Sequence, residues 1–179
     1  NFTTPPYSVS GAVATFLTAG ALDITAATDL GGVNTLVYAA GGNAVTMTVA
    51  QFNAFTTFTG GAGTDGIILS TAIDDGAGGT YDASTKTFTS IEELTFATGS
   101  NQITLTKAQH AAFTTITAPG TETITISGDG AVTTRANIET YLLGDDTTNA
   151  RAVTTSSTAL NLVANNASDT VTVNAAALA

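Results

Sequence analysis

Apolar residues recur along this chain in pairs three apart, and the pairs themselves recur with a period of about 22 residues. Val33-x-x-Leu36 returns as Phe55-x-x-Phe58, Ile91-x-x-Leu94 as Phe113-x-x-Ile116, and Ile138-x-x-Tyr141 as Leu160-x-x-Val163. About halfway between them come alternating pairs, Val45-x-Met47, Ile67-x-Leu69, Ile103-x-Leu105, Ile124-x-Ile126 and Val171-x-Val173. Alternation of this kind marks a strand with one buried face. A unit of this length with two strands suits one coil of a solenoid, whose inner face is buried only when neighbouring coils stack.

A longer repeat contains the short one. Residues 33–59 lie over 91–117 without a gap and with 13 identities in 27 positions. Five of the differences exchange one bulky apolar residue for another, at Val33/Ile91, Tyr38/Phe96, Val45/Ile103, Met47/Leu105 and Phe58/Ile116. The step from Phe113 to Ile138 exceeds the period by three positions, which a turn insertion explains. Between the strands fall GGN at 41–43, GSN at 99–101, GGAG at 60–63 and PG at 119–120, residue types that tolerate turn backbone. AQFNAF and AQHAAF, following Thr48 and Thr106, predict one or two helical turns with the threonine as N-cap.

The expected fold is therefore all-β, a parallel β-solenoid (β-helix-like) with coils of about 22 residues and short helical turns at some corners. Residues 1–10, with Pro5 and Pro6, fall outside the period and read as an extended N-terminal arm. Residues 11–179 read as a single solenoid domain of about seven coils. The Asp- and Gly-rich stretch at about 71–90 breaks the period and reads as a corner excursion. The four Val33, Phe55, Ile91 and Phe113 positions are expected to stack in one register on one side of the core.

Composition narrows the function classes. There are 38 Thr and 31 Ala, no Cys and no Trp. Without cysteine there are no disulfides, thiolate nucleophiles or sulfur metal sites. Fourteen carboxylates against four Lys and Arg give a net charge of −10, which disfavours nucleic acid as a partner. No apolar run approaches a membrane span. Asn1 stands where an initiator Met would, so a mature form or excised fragment is expected.

The inventory for catalysis is thin. His110, the one histidine, occupies the position of Phe52 in the matching repeat and reads as a partly buried helix-face residue. Asp74-Asp75 and Asp145-Asp146 are adjacent pairs of the kind usually solvated in loops. Four basic residues spread over 179 positions offer little to an anionic transition state, so a pectate-lyase-like solenoid enzyme is disfavoured and no catalytic residue is expected. Thr-x-Thr occurs at 46–48, 57–59, 87–89, 104–106, 115–117, 123–125 and 170–172, as in some ice-binding solenoids, but at irregular intervals. The sequons at Asn1 and Asn166 are common chance patterns.

At 60–68 the run GGAGTDGII matches the GGxGxDxUx nonapeptide of calcium-binding RTX repeats. It is solitary, since LSTAIDDGA follows it. Together with SIEELTF at 90–96 and the Thr/Ala bias, this run resembles the solenoid regions of RTX-type bacterial surface-layer proteins and large adhesins exported by type I secretion. The resemblance implies a secreted, cell-surface coat, filament or adhesin protein, and the open strand edges of a solenoid predict a homo-oligomer formed through the solenoid ends or the N-terminal arm. The run itself reads first as a plain glycine corner, and the resemblance adds calcium held through Asp65 as an aid and not a requirement. TVTVNAAALA at 170–179 is similar in character to the uncleaved export signals of that family. The second function reading is a binding module for ice or carbohydrate, such as a cell-surface polysaccharide, on a Thr-rich face.

Overall fold

The apolar positions picked out by alternation become the inward side chains of short parallel strands. The computed structural model describes residues 7–74, 76–128, 131–143, 152–154, 161–163 and 170–172. They form a β-solenoid of about six turns with coils of about 22 residues. In chain order the elements are β1 (Tyr7–Ser10), β2 (Val13–Phe16), β3 (Gly20–Asp23), β4 (Thr35–Val37), β5 (Asn43–Met47), α1 (Val49–Ala54), β6 (Thr57–Thr59) and β7 (Asp65–Leu69). There follow β8 (Tyr81–Asp82), β9 (Thr87–Thr89), β10 (Glu93–Thr95), β11 (Ser100–Thr106), α2 (Lys107–Ala112), β12 (Thr115–Thr117) and β13 (Thr121–Ser127). The last are β14 (Val132–Thr133), β15 (Thr140–Leu143), β16 (Ala152–Thr154), β17 (Asn161–Val163) and β18 (Thr170–Thr172).

Four sheets run along the stack, ordered β1-β2-β4-β6-β9, β3-β5-β7-β10-β12, β8-β11-β13-β15-β17 and β14-β16-β18. Every pairing is parallel except β1 with β2. Register lines up one apolar rank per sheet. Ala14, Leu36, Phe58 and Phe88 form the first. Leu22, Val45, Ile67, Leu94 and Ile116 form the second. Tyr81, Ile103, Ile124, Tyr141 and Leu162 form the third. These ranks meet in one continuous core.

Four expectations need correction. Val33, Phe55, Ile91 and Phe113 are all buried in that core, but they do not make one stack. The first two flank strands of the first sheet and the last two flank strands of the second, because β4 lies in the first sheet and its repeat partner β10 in the second. The cause is the stretch at 71–90, which is not a simple excursion. Thr87-Phe88-Thr89 adds to the first sheet in register with Thr57-Phe58-Thr59, and Tyr81-Asp82 pairs with β11. That insertion lengthens the coil from Phe58 to Phe88 well beyond the usual step, which helps bring the expected seven turns down to about six. The N-terminal arm is also partly committed, since β1 folds back antiparallel on β2 through Gly11, whose φ of 59° suits glycine. Residues 1–6 lie outside the described structure.

Both helices form where the sequence places them, each closed by a capping box. Thr48 Oγ1 accepts from Gln51 N and Gln51 Oε1 from Thr48 N, with Thr106 and Gln109 repeating the arrangement. The glutamine amides then reach back to the coil below, Gln51 to the carbonyls of Ile24 and Ala27, and Gln109 to those of Ala83, Ser84 and Lys86. One side chain thus caps a helix and ties it to the preceding coil.

Candidate functional site

Asp65, the residue singled out for metal, opens β7 at a corner and is wholly buried. One carboxylate oxygen accepts from the backbone N–H of Asn43 at 2.9 Å and from its side-chain amide at 2.7 Å; the other accepts from Gly61 N at 2.7 Å. Three N–H donors therefore take up three of the carboxylate's roughly four lone-pair positions. Asn43 in turn donates to the carbonyls of Ala39 and Gly41, while Asp65 N donates to Glu92 Oε2 in the next coil at 2.9 Å. The result is a polar ladder, Asn43–Asp65–Glu92, running up the inside of a corner. Among the described residues no group of three histidine or acidic side chains converges.

The glycines of the GGAGTD run have a packing reason in this geometry. A Cβ on Gly60 would collide with the Ser90 carbonyl oxygen, and one on Gly61 with that of Ala39. Stacked corners approach too closely there for any side chain.

The second repeat rebuilds the ladder as Asn101–Glu122–Glu139. Asn101 donates to the carbonyls of Ala97 and Gly99 and to Glu122 Oε1 at 3.0 Å; Gly120 N donates to the same oxygen at 3.1 Å, and Glu122 N to Glu139 Oε2 at 2.8 Å. Here the corner has one residue fewer, APGT in place of GGAGT, and the acid has one methylene more. The longer side chain compensates for the shorter turn.

The compensation is incomplete, because Glu122 Oε2 is buried without a partner. Desolvation pushes the Glu122 carboxyl above the usual range, with the Glu139 carboxylate adding to it, against the bonds from Gly120 and Asn101 that favour ionisation. A carboxyl whose folded pKa is raised binds more protons folded than unfolded, so it contributes stability at low pH that is lost as pH rises from about 4.5. Glu122→Gln keeps the acceptor and removes the charge. It is expected to stabilise the protein at pH 8 by about 1–3 kcal/mol and to have little effect near pH 4, measured by urea denaturation at both. An equal effect at the two pH values would contradict this account.

The basic residues are gathered more closely than their sequence spacing suggests. Lys86 is buried, donates to the carbonyls of Phe52, Asn53 and Phe55, and lies 4.9 Å from the Phe52 ring centroid. It closes the C-terminal end of α1. Arg135 does the corresponding task for α2, donating from Nη2 to the Phe113 carbonyl at 2.7 Å, while its Nε is buried without a partner. His110 is buried as expected of a helix-face residue, with Nε2 3.0 Å from the Tyr141 hydroxyl, which also accepts from Arg135 N. Burial and the Arg135 guanidinium lower the His110 pKa to about 4. Lys107, His110 and Arg135 line one cavity of about 330 Å³.

The remaining candidates stay apart. Asp74 accepts from Gly76 N in an exposed turn, while Asp75, Asp145-Asp146, Asn1, Asn166 and residues 173–179 lie outside the described structure. Threonines that look irregular in sequence come into register on the sheets: Thr57 and Thr59 sit beside Thr87 and Thr89, and Thr104 beside Thr125.

The fold and its corner ladders define the chain as a parallel β-solenoid repeat protein. No family model, curated protein or solved structure matches it.

Proposed function

We propose that the chain is an extracellular structural building block of a bacterial surface, a coat, filament or adhesin segment that associates end to end. The observation that carries this reading is the placement of exposed apolar residues. The large hydrophobics exposed among the described residues are Leu17, 58% exposed just after β2, and Val163, 40% exposed on β17. β2 belongs to the first coil, and β17 is the outermost described strand of its sheet, so the two mark opposite ends of the stack. β3 near the first end and β17 at the other are each paired on one side only among the described residues, and such edges are templates for pairing with another chain. The parallel ladders supply a rigid body, and the acidic surface keeps copies apart at low salt.

The intact chain is expected to form oligomers in light scattering as protein concentration and salt increase, since salt screens the charge of −10. Leu17→Lys with Val163→Lys should return it to monomer without moving its melting temperature. A chain that stays monomeric at high concentration, with moderate salt and calcium present, would remove the proposal's support.

The threonine registers favour a second reading, a face that binds ice or a carbohydrate. Absence of thermal hysteresis at high protein concentration would eliminate ice.

A further inference from the structure

The two halves of the long repeat act as internal controls for one another, and they differ where the cavity lies. In α1 the positions equivalent to Lys107 and His110 are Val49 and Phe52, and Phe52 is fully buried against Phe58. In α2 two apolar side chains have thus been replaced by basic ones. The residue closing the helix end differs as well. Lys86 uses its ammonium on three carbonyls below α1, whereas Arg135 donates to one carbonyl below α2 and keeps a buried Nε without a partner. The Lys107 ammonium makes no hydrogen bond or ion pair among the described residues. Lys107, His110 and Arg135 are three of the chain's five basic side chains, and here they line one cavity in a protein of net charge −10.

An excess of donors in a recess, with no carboxylate among the described residues lining it, is the complement of an anion. We propose that this cavity binds an oxyanion group, a carboxylate, phosphate or sulfate, carried on a small ligand. Its volume of about 330 Å³ is at the lower end for small-ligand pockets and suits a ligand of monosaccharide size. Arg135, whose Nη2 is held on the Phe113 carbonyl, lines the cavity with its guanidinium charge, and Lys107 supplies the ammonium. Ala111, Ala131, Val132 and Thr133 complete the wall. His110 is held neutral at pH 7 by its burial and contributes shape more than charge.

The test uses the full chain labelled with ¹⁵N and titrated separately with inorganic phosphate, sulfate and galacturonate at constant ionic strength held with chloride. Saturable shifts confined to amides around 107–111 and 131–135 are expected. The probe that saturates at the lowest concentration identifies the oxyanion type. Arg135→Gln removes a helix-closing bond and is a poor sole test, so Lys107→Gln carries the comparison. It should keep the wild-type melting temperature and weaken binding about tenfold or more. Val49→Gln, the equivalent change in the first repeat, should leave binding unchanged. No saturable shift with any probe up to about 50 mM, a concentration at which even millimolar binding would saturate, or equal binding by Lys107→Gln and wild type, would overturn the proposal.

Discussion

Leu94→Asp is expected to destabilise the solenoid by about 4–5 kcal/mol or more, enough to leave it largely unfolded at room temperature. Leu94 is 1% exposed and sits in the middle of the second rank, between Ile67 on one side and Ile116 on the other. A carboxylate there has no N–H donor to meet it, unlike Asp65 in the corner ladder. The damage should spread, because each coil derives its core from its neighbours and a break in one interface uncouples the coils on both sides. Leu94→Ala gives the graded control, at about 3 kcal/mol for the lost methyl groups and the cavity they leave. Urea denaturation followed by circular dichroism reads both. An aspartate variant with a near-wild-type midpoint would mean that the three-residue strands tolerate rotation of the side chain to solvent.

Lys86→Met should cost about 3 kcal/mol. Methionine preserves the length of the aliphatic stem and its packing against Phe52 and Tyr81, so the loss reports the ammonium alone. That group is buried and donates to three carbonyls at the end of α1. Desolvation lowers its pKa to about 8, which leaves it cationic at neutral pH. Lys86→Arg should recover part of the loss, since Arg135 closes α2 with a guanidinium. Urea midpoints again supply the measurement, and a methionine variant within about 0.5 kcal/mol of wild type would reduce Lys86 to a surface residue of no consequence.

The period of the fold was legible because inward positions of stacked strands must be apolar and must recur once per coil. What the period could not reveal was which strands share a sheet. Thr87-Phe88-Thr89 has the same form as Thr57-Phe58-Thr59, yet it falls out of step with the period, inside a stretch whose Asp and Gly content signals a loop. A strand of three residues with one inward side chain carries too little pattern to outweigh that composition. The polar ladder was half visible. Asn43 and Asn101 align in the long repeat, but Asp65 and Glu122 do not, because a shorter turn is matched by a longer acid. The GGAGTD run read both as a glycine corner and as a calcium site, and its glycines answer to the close approach of Ser90 and Ala39. For the cavity, the replacement of Val49 and Phe52 by Lys107 and His110 was the signal in the sequence. Arg135 comes from a coil outside the repeat, and only folding brings it beneath α2.

The displacement of the second repeat by one sheet has a geometric outcome. One copy carries the chain through two full coils and onto the adjacent side, from Leu36 through Phe58 and Phe88 to Leu94. Where the chain runs β7–β8–β9–β10 it visits the second, third and first sheets and returns to the second, a coil of three sides; on that plan tandem copies of the unit would climb as a threefold screw, and a fourth copy would regain the first orientation after seven coils, about 34 Å along the axis at about 4.8 Å per coil. Any motif fixed in the unit, such as a threonine row, would then point in three directions in turn. A rod lengthened in this way would present equivalent contacts all round its circumference, a symmetry suited to bundles with neighbours on every side.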